Sequence, residues 1–190
     1  SKSVRKGVKK SLLIVDMPFN TYKNKSQALK NCRKVMKETK CDGIKLEGGR
    51  NINEIVKHLI KHKIPVMGHI GITPQSVRGK FRYKGKSEIE KKKLLKDAKS
   101  LEDAGVFAIV LECIERIASK EITESIKIPT IGIGSSNFCD GQILVTDDLL
   151  GLTDNKIKFV KKYANLKSNV RIAVKKFKLD VKKGSYPSIK

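Results

Sequence analysis

Four side chains able to do acid–base or metal chemistry, Asp16, Glu47, His69 and Glu112, each close a short, largely apolar run, and Lys45 stands two residues before Glu47. Asp16 and Glu47 are hard oxygen donors of the kind Mg2+ takes one or two at a time beside water and substrate oxygens. Each has a plainer alternative as a helix cap or a partner for a surface lysine. Pro18 after Asp16 and Gly48-Gly49 after Glu47 turn the chain at once, which favours reading the two as a pair. On a strand, Lys45 and Glu47 face the same side. A lysine inside a barrel beside a metal site is costly unless it meets an anion, which points to a carboxylate-bearing substrate; the alternative is an outward, snorkelling lysine. His69 lies within Gly68-His69-Ile70-Gly71, where glycines permit close approach, or it is a satisfied core histidine. Glu112 ends an apolar strand in a partly desolvated mouth, where burial raises a carboxyl pKa toward the range useful for proton transfer. Its alternative is a structural ion pair.

The elements that must position these groups alternate. Strand candidates are Ser11–Asp16, Gly43–Glu47, Pro65–His69, Phe107–Glu112, Thr130–Gly134 and Gln142–Val145, and their near-continuous apolar character suits strands covered on both faces. Between them the period turns helical. Ala28, Leu29, Cys32, Val35 and Met36 form one stripe, with Ser26 as N-cap; Ile52 to Ile60 form another; Leu94, Leu95, Ala98 and Leu101 lie in a lysine-rich helix ending near Gly105. Ile114–Ser125 reads as a shorter helix, and Ile157 to Val181 as two helices or one broken near Ser168-Asn169. Arg78–Ser87 reads as a long mobile loop. Polar groups at the ends of five strands converge in a closed barrel, whereas an open sheet would favour an early G-x-G-x-x-G turn, and none is present.

The chain has 190 residues, which suits a single domain over 1–190. No apolar run is long enough to span a membrane, no signal sequence is evident, and a cytoplasmic protein is expected. The net charge of +23 suggests nucleic acid at first sight. Only seven of the 42 cationic residues are arginine, however, and aromatics make up 5% without a single Trp, so a solvated lysine surface is favoured over specific nucleic-acid binding. Cys32, Cys41, Cys113 and Cys139 form no C-x-x-C pair and read as reduced, buried thiols.

In their order, Asp16-Met-Pro-Phe19, Ile44-Lys-Leu-Glu-Gly-Gly49, the stretch GHIGITPQS over 68–76, Val110-Leu-Glu112, Ile128-Pro-Thr-Ile-Gly-Ile-Gly134 and Cys139-Asp-Gly-Gln-Ile-Leu-Val145 resemble the ketopantoate hydroxymethyltransferase family. The resemblance implies an α/β fold, a (β/α)8 TIM barrel of which this chain holds six βα units, and a homo-oligomer, usually a decamer. It implies transfer of a one-carbon unit from 5,10-methylenetetrahydrofolate to 3-methyl-2-oxobutanoate, giving 2-dehydropantoate for pantothenate synthesis. Residue by residue, Asp16 would bind Mg2+, or another divalent metal, and substrate. Glu47 would bind the metal, Lys45 the substrate carboxylate, and Glu112 would accept the proton, with His69 near the substrate. The family also carries two βα units ahead of the Asp16 strand, including a GDS-type strand end that gives the metal another aspartate, and nothing in Ser1–Lys10 replaces them. Further departures are Gly132-Ile-Gly-Ser-Ser136 in place of GIGAG and Gly79-Lys-Phe-Arg-Tyr-Lys-Gly85 in place of GGYKVQG. The rival readings are a non-catalytic truncated barrel or lysine-rich binding protein, and another metal-enolate barrel, a lyase of the phosphoenolpyruvate mutase type.

Overall fold

The Ile- and Val-rich runs form parallel strands in a computed structural model that describes residues 1–75, 82–154 and 157–188. They are β1 (Ile14–Asp16), β2 (Gly43–Glu47), β3 (Val66–Gly71), β4 (Ala108–Glu112), β5 (Thr130–Ile133) and β6 (Gly141–Gln142). The helices of the first four crossovers are α2 (Lys25–Thr39), α3 (Asn53–Lys61), α4 (Glu88–Ala104) and α5 (Arg116–Ser125), and α1 (Lys2–Gly7) precedes β1. The strands pair in chain order, β1-β2-β3-β4-β5-β6, each parallel to the next. A doubly wound sheet reverses its strand order at a switch point, and this one does not. Sequential parallel pairing with neighbouring helices packed against one another is the construction of a (β/α)8 wall. The expected fold class therefore holds, as a six-stranded arc of such a barrel.

Two compact units make up the chain, Ser1–Ile143 with all six strands and Leu144–Lys190. The core of the first lies between the sheet and α2 to α5, and Leu46, Leu59, Leu101, Ile109, Leu111 and Ile122 are fully buried there. Each such side chain contributes about 2 kcal/mol of transfer free energy. Capping sets the helix limits. Asn24, not Ser26, caps α2, its side chain accepting from the Gln27 N–H; Ser87 caps α4, which ends at Gly105 in the left-handed region as expected.

Pairing shifts several boundaries. β1 starts at Ile14 because the Leu13 N–H is taken by the Asp42 carboxylate at 2.8 Å. β3 runs on to Gly71 because β4 pairs with it as far as Gly71 opposite Glu112. β6 stops at Gln142, and Ile143 and Val145 are exposed. Of the expected loop, residues 78–81 lie outside the described residues. Its remainder is tied down, since Lys84 donates to the Cys113 carbonyl and accepts from the Glu115 N–H.

Asp42 joins α1 to the start of β1, because Arg5 Nη1 also lies 3.0 Å from its Oδ2. The Leu13 N–H and then Arg5 hold its carboxyl below the usual aspartate range. A depressed carboxyl adds stability above its ordinary pKa and loses it as the pH falls through the depressed value. Asp42→Asn should therefore flatten the acid limb of stability against pH, measured as melting temperature between about pH 6 and pH 3.

In the second unit, α6 is Thr146–Leu149 and α7 is Leu166–Lys182. The expected helical stripe through Val160, Tyr163 and Ala164 is not helix. There the Tyr163 and Leu166 N–H groups bond the Leu149 and Leu150 carbonyls instead, and α7 is continuous through Ser168-Asn169. Among the described residues no helix is long and apolar enough to cross a membrane.

Candidate active site

Register decides which side chains share a face of the sheet. Asp16 lies opposite Lys45, Glu47 opposite His69, and Gly71 opposite Glu112. Residues two apart on a strand point the same way. Asp16, Lys45, Glu47, His69 and Glu112 consequently stand on one face at the C-terminal strand ends, where barrel enzymes carry out their chemistry. The other face gives Ile44, Leu46, Ile109 and Leu111 to the helices.

The five groups form a connected row. Lys45 Nζ lies 2.9 Å from Asp16 Oδ2 and 3.1 Å from His69 Nδ1. Its stem therefore runs inward, and the snorkelling alternative does not apply. His69 is fully buried, with Nδ1 3.9 Å from Glu47 Oε1 and Nε2 3.1 Å from Glu112 Oε2. An ammonium group only donates, so Nδ1 accepts from Lys45 and the ring N–H is assigned by this network to Nε2, facing Glu112. The Nε2 approach to Glu112 lacks hydrogen-bond alignment, and Nε2 is buried without a hydrogen-bond partner among the described residues. Gln75 Oε1 is likewise buried with no partner among the described residues. Orphaned buried polar atoms beside carboxylates are groups that a polar ligand would satisfy.

Glu47 is the most constrained carboxylate. Its Oε2 accepts the Gln75 main-chain N–H at 3.1 Å, and Gln75 Nε2 donates to the Met17 carbonyl at 3.0 Å, so one residue bridges the ends of β1 and β2. The Tyr22 hydroxyl accepts from the Glu47 N–H at 3.3 Å and donates to its carbonyl at 3.4 Å. Burial pushes the Glu47 carboxyl up, opposed by His69, the Gln75 N–H and Lys45, and burial also raises the Tyr22 phenol. Among the described residues no group of three or more His, Cys, Asp or Glu is arranged to hold a metal. Two carboxylates, Asp16 half-exposed and Glu47 buried, still fit Mg2+, which fills its other positions with water and substrate oxygens.

Several supporting residues escaped the sequence reading. Ser135, in the departure from GIGAG, donates to the Leu111 carbonyl at 2.6 Å and accepts from the Ile114 N–H at 3.0 Å, bracketing Glu112. Cys113, just beyond, has its thiol pushed up to about 11 by burial; all four cysteines are free and buried. Asp97 of α4, almost buried, accepts from Arg50 N at 3.1 Å and Arg50 Nε at 2.9 Å. A Cβ on Gly49 would fall 2.4 Å from the Asp97 Cγ, so only glycine lets this clamp close on the turn after Glu47. Removing a charged acceptor from two donors costs on the order of 2 kcal/mol. Asp97→Ala should lower stability by about that much, while Asp97→Asn, which keeps the acceptor oxygen, should do less; urea titration checks both.

Fold and site together define a parallel βα barrel enzyme whose paired carboxylates, inward lysine and buried histidine line one mouth. A ketopantoate hydroxymethyltransferase profile matches residues 1–189, and the chain belongs to this family. It is 57% identical over 190 residues to the 3-methyl-2-oxobutanoate hydroxymethyltransferase of Pelagibacter ubique (strain HTCC1062), covering all of this chain and 74% of that one. The enzymes of the same name from Clostridium botulinum (strain Alaska E43 / Type E3) and Helicobacter pylori (strain P12) are each 50% identical, with 70% and 71% of their lengths covered. Among solved structures, a chain of the Amycolatopsis orientalis BexX/CysO complex superposes with a TM-score of 0.50 at 15% identity, over 93% of this chain and 71% of that one, a likeness of fold alone.

Proposed function

We propose that this chain catalyses the reaction of 3-methyl-2-oxobutanoate, 5,10-methylenetetrahydrofolate and water to give 2-dehydropantoate and tetrahydrofolate, in pantothenate biosynthesis. The observation that carries the proposal is the single row of Asp16, Lys45, His69 and Glu112, with Glu47 beside it, on one face of the strand ends. Lys45, held by Asp16 and His69, offers its ammonium to the keto-acid carboxylate. Glu112 accepts the proton from C3, and the electron pair left there forms the new bond to the methylene carbon. That carbon's two bonds to the folate nitrogens break, one as the carbon–carbon bond forms and the other as water supplies the hydroxyl; each nitrogen keeps its electron pair and takes a proton, one returned by Glu112 and one from the water. His69 Nε2, 3.1 Å from the Glu112 carboxylate, places a donor beside the group that takes the proton. Asp16 and Glu47 would hold Mg2+, whose charge when bound favours electron density on the keto oxygen.

The relatives' shared name and the chemistry of the donor set support this reading. Its test is exchange of the C3 proton of 3-methyl-2-oxobutanoate for deuterium in D2O with Mg2+, followed by NMR. Exchange, and product once methylenetetrahydrofolate is added, is expected; a chain that neither exchanges nor forms product overturns the reading.

A further inference from the structure

A cavity of about 600 Å3 opens beside the row, between the turn after β2 and the start of α4, and Glu47 lies on its edge. Its wall includes Arg50, Thr73, Lys84, Lys93 and Asp97. Lys84 is anchored by main-chain bonds to Cys113 and Glu115, so the wall reaches from Glu47 to the neighbourhood of Glu112. The volume lies within the range of small-molecule sites.

Its acids are already engaged. Asp97 is bound to Arg50; Glu90 accepts from Arg82 and from the Gly85 and Lys86 N–H groups; Glu47 accepts from Gln75. The ammonium groups of Lys84 and Lys93, by contrast, have no carboxylate within ion-pair distance among the described residues. Two uncommitted cations on a cavity wall suit a ligand bearing carboxylates.

Taking the reaction proposed above as its basis, we infer that this cavity receives the p-aminobenzoyl-glutamate tail of the folate co-substrate, with Lys84 and Lys93 facing the glutamate carboxylates. Glu47, which lines the cavity and stands beside the row, sets the cavity next to the proposed keto-acid site. A tail lying there places the folate nitrogens beside the mouth, where the methylene carbon must meet C3. Proximity of this kind is what a two-substrate site has to supply.

The test is calorimetric titration of tetrahydrofolate, and of 6-methyltetrahydropterin, which lacks the tail, into the full chain. Lys84→Ala and Lys93→Ala should each raise the Kd for tetrahydrofolate by about tenfold and leave the tail-less pterin unaffected. Lys92→Ala, which removes the same charge from an exposed position of α4 outside the cavity, should change neither. Tetrahydrofolate affinity within twofold of the parent in both cavity variants, or an equal loss in Lys92→Ala, overturns the inference. Deuterium exchange by the unsubstituted chain separates the two readings. Exchange with lysine-independent folate binding sinks the tail site alone, whereas no exchange and no product sinks the reaction and the tail site with it.

Discussion

Glu112→Gln should cut C3 deuterium exchange by about 1000-fold while the affinity for Mg2+ stays within twofold, since a positioned general base contributes roughly 10²–10⁴ in rate. The substitution keeps the size and planarity of the side chain and removes only its ability to take a proton. Packing gives no reason for a larger disturbance, because the strand is fixed independently: the Glu112 carbonyl accepts from the Ile72 N–H at 2.9 Å, and Ser135 ties the residues on either side. The metal would sit with Asp16 and Glu47 and should not register the change. Undiminished exchange would remove Glu112 from the role and leave Glu47 as the nearest other carboxylate to His69. A loss of exchange together with a loss of Mg2+ affinity would mean that Glu112 belongs to the donor set.

The second large effect is on the frame. Gly71→Ala should destabilise the protein by about 3 kcal/mol or more and abolish activity in whatever fraction folds. Gly71 has a φ of 102°, in the region that favours glycine, and a Cβ there would fall 2.2 Å from the Glu112 carbonyl oxygen and 2.8 Å from Ile114 Cγ1. Neither obstacle is a flexible side-chain end that can swing aside for it, so β3 and β4 would have to separate beside the proposed base. Gly105→Ala provides the control. Gly105 also has a positive φ, of 95°, but its Cβ would meet only the Ile60 side chain, no closer than 3.3 Å, and a cost of about 1 kcal/mol is expected. Urea denaturation of the two variants measures the difference. If Gly71→Ala costs no more than Gly105→Ala, close strand approach is not what that glycine provides.

Much of this protein can be read along the chain. The alternation of Ile- and Val-rich runs with helical stripes locates the first five strands, because burial on both faces of a parallel sheet leaves a local compositional mark; the sixth is met only at Gln142, since the Ile143 and Val145 that suggested it are exposed. Asp16, Glu47, His69 and Glu112 stand out because a polar group closing an apolar run is itself a local pattern, and the two-residue spacing of Lys45 and Glu47 places them on one face by strand geometry alone. Boundaries were less legible. Whether β1 starts at Ser11 or Ile14 depends on Asp42, far along the chain, claiming the Leu13 N–H. The stripe through Val160 and Tyr163 has helical spacing, yet carbonyls from Leu149 and Leu150 capture its N–H groups.

What the tertiary structure alone decided is the pairing across strands. Residue types left Lys45 free to point in or out; register beside Asp16 and His69 turned it inward. Asp97 reads as one more acid on a lysine-rich helix until α4 packs it, 47 residues away in sequence, against Arg50 and the glycine turn that follows Glu47. Ser135 reads as a departure from a motif until its hydroxyl is seen to bridge Leu111 and Ile114. The sequence by itself determined which groups are present and which of them share a face of their strand, since both are local properties of residue type and spacing. Which of those groups touch, and what holds them apart from water, was decided by inter-strand register and helix packing, which depend on contacts between residues that spacing along the chain does not encode.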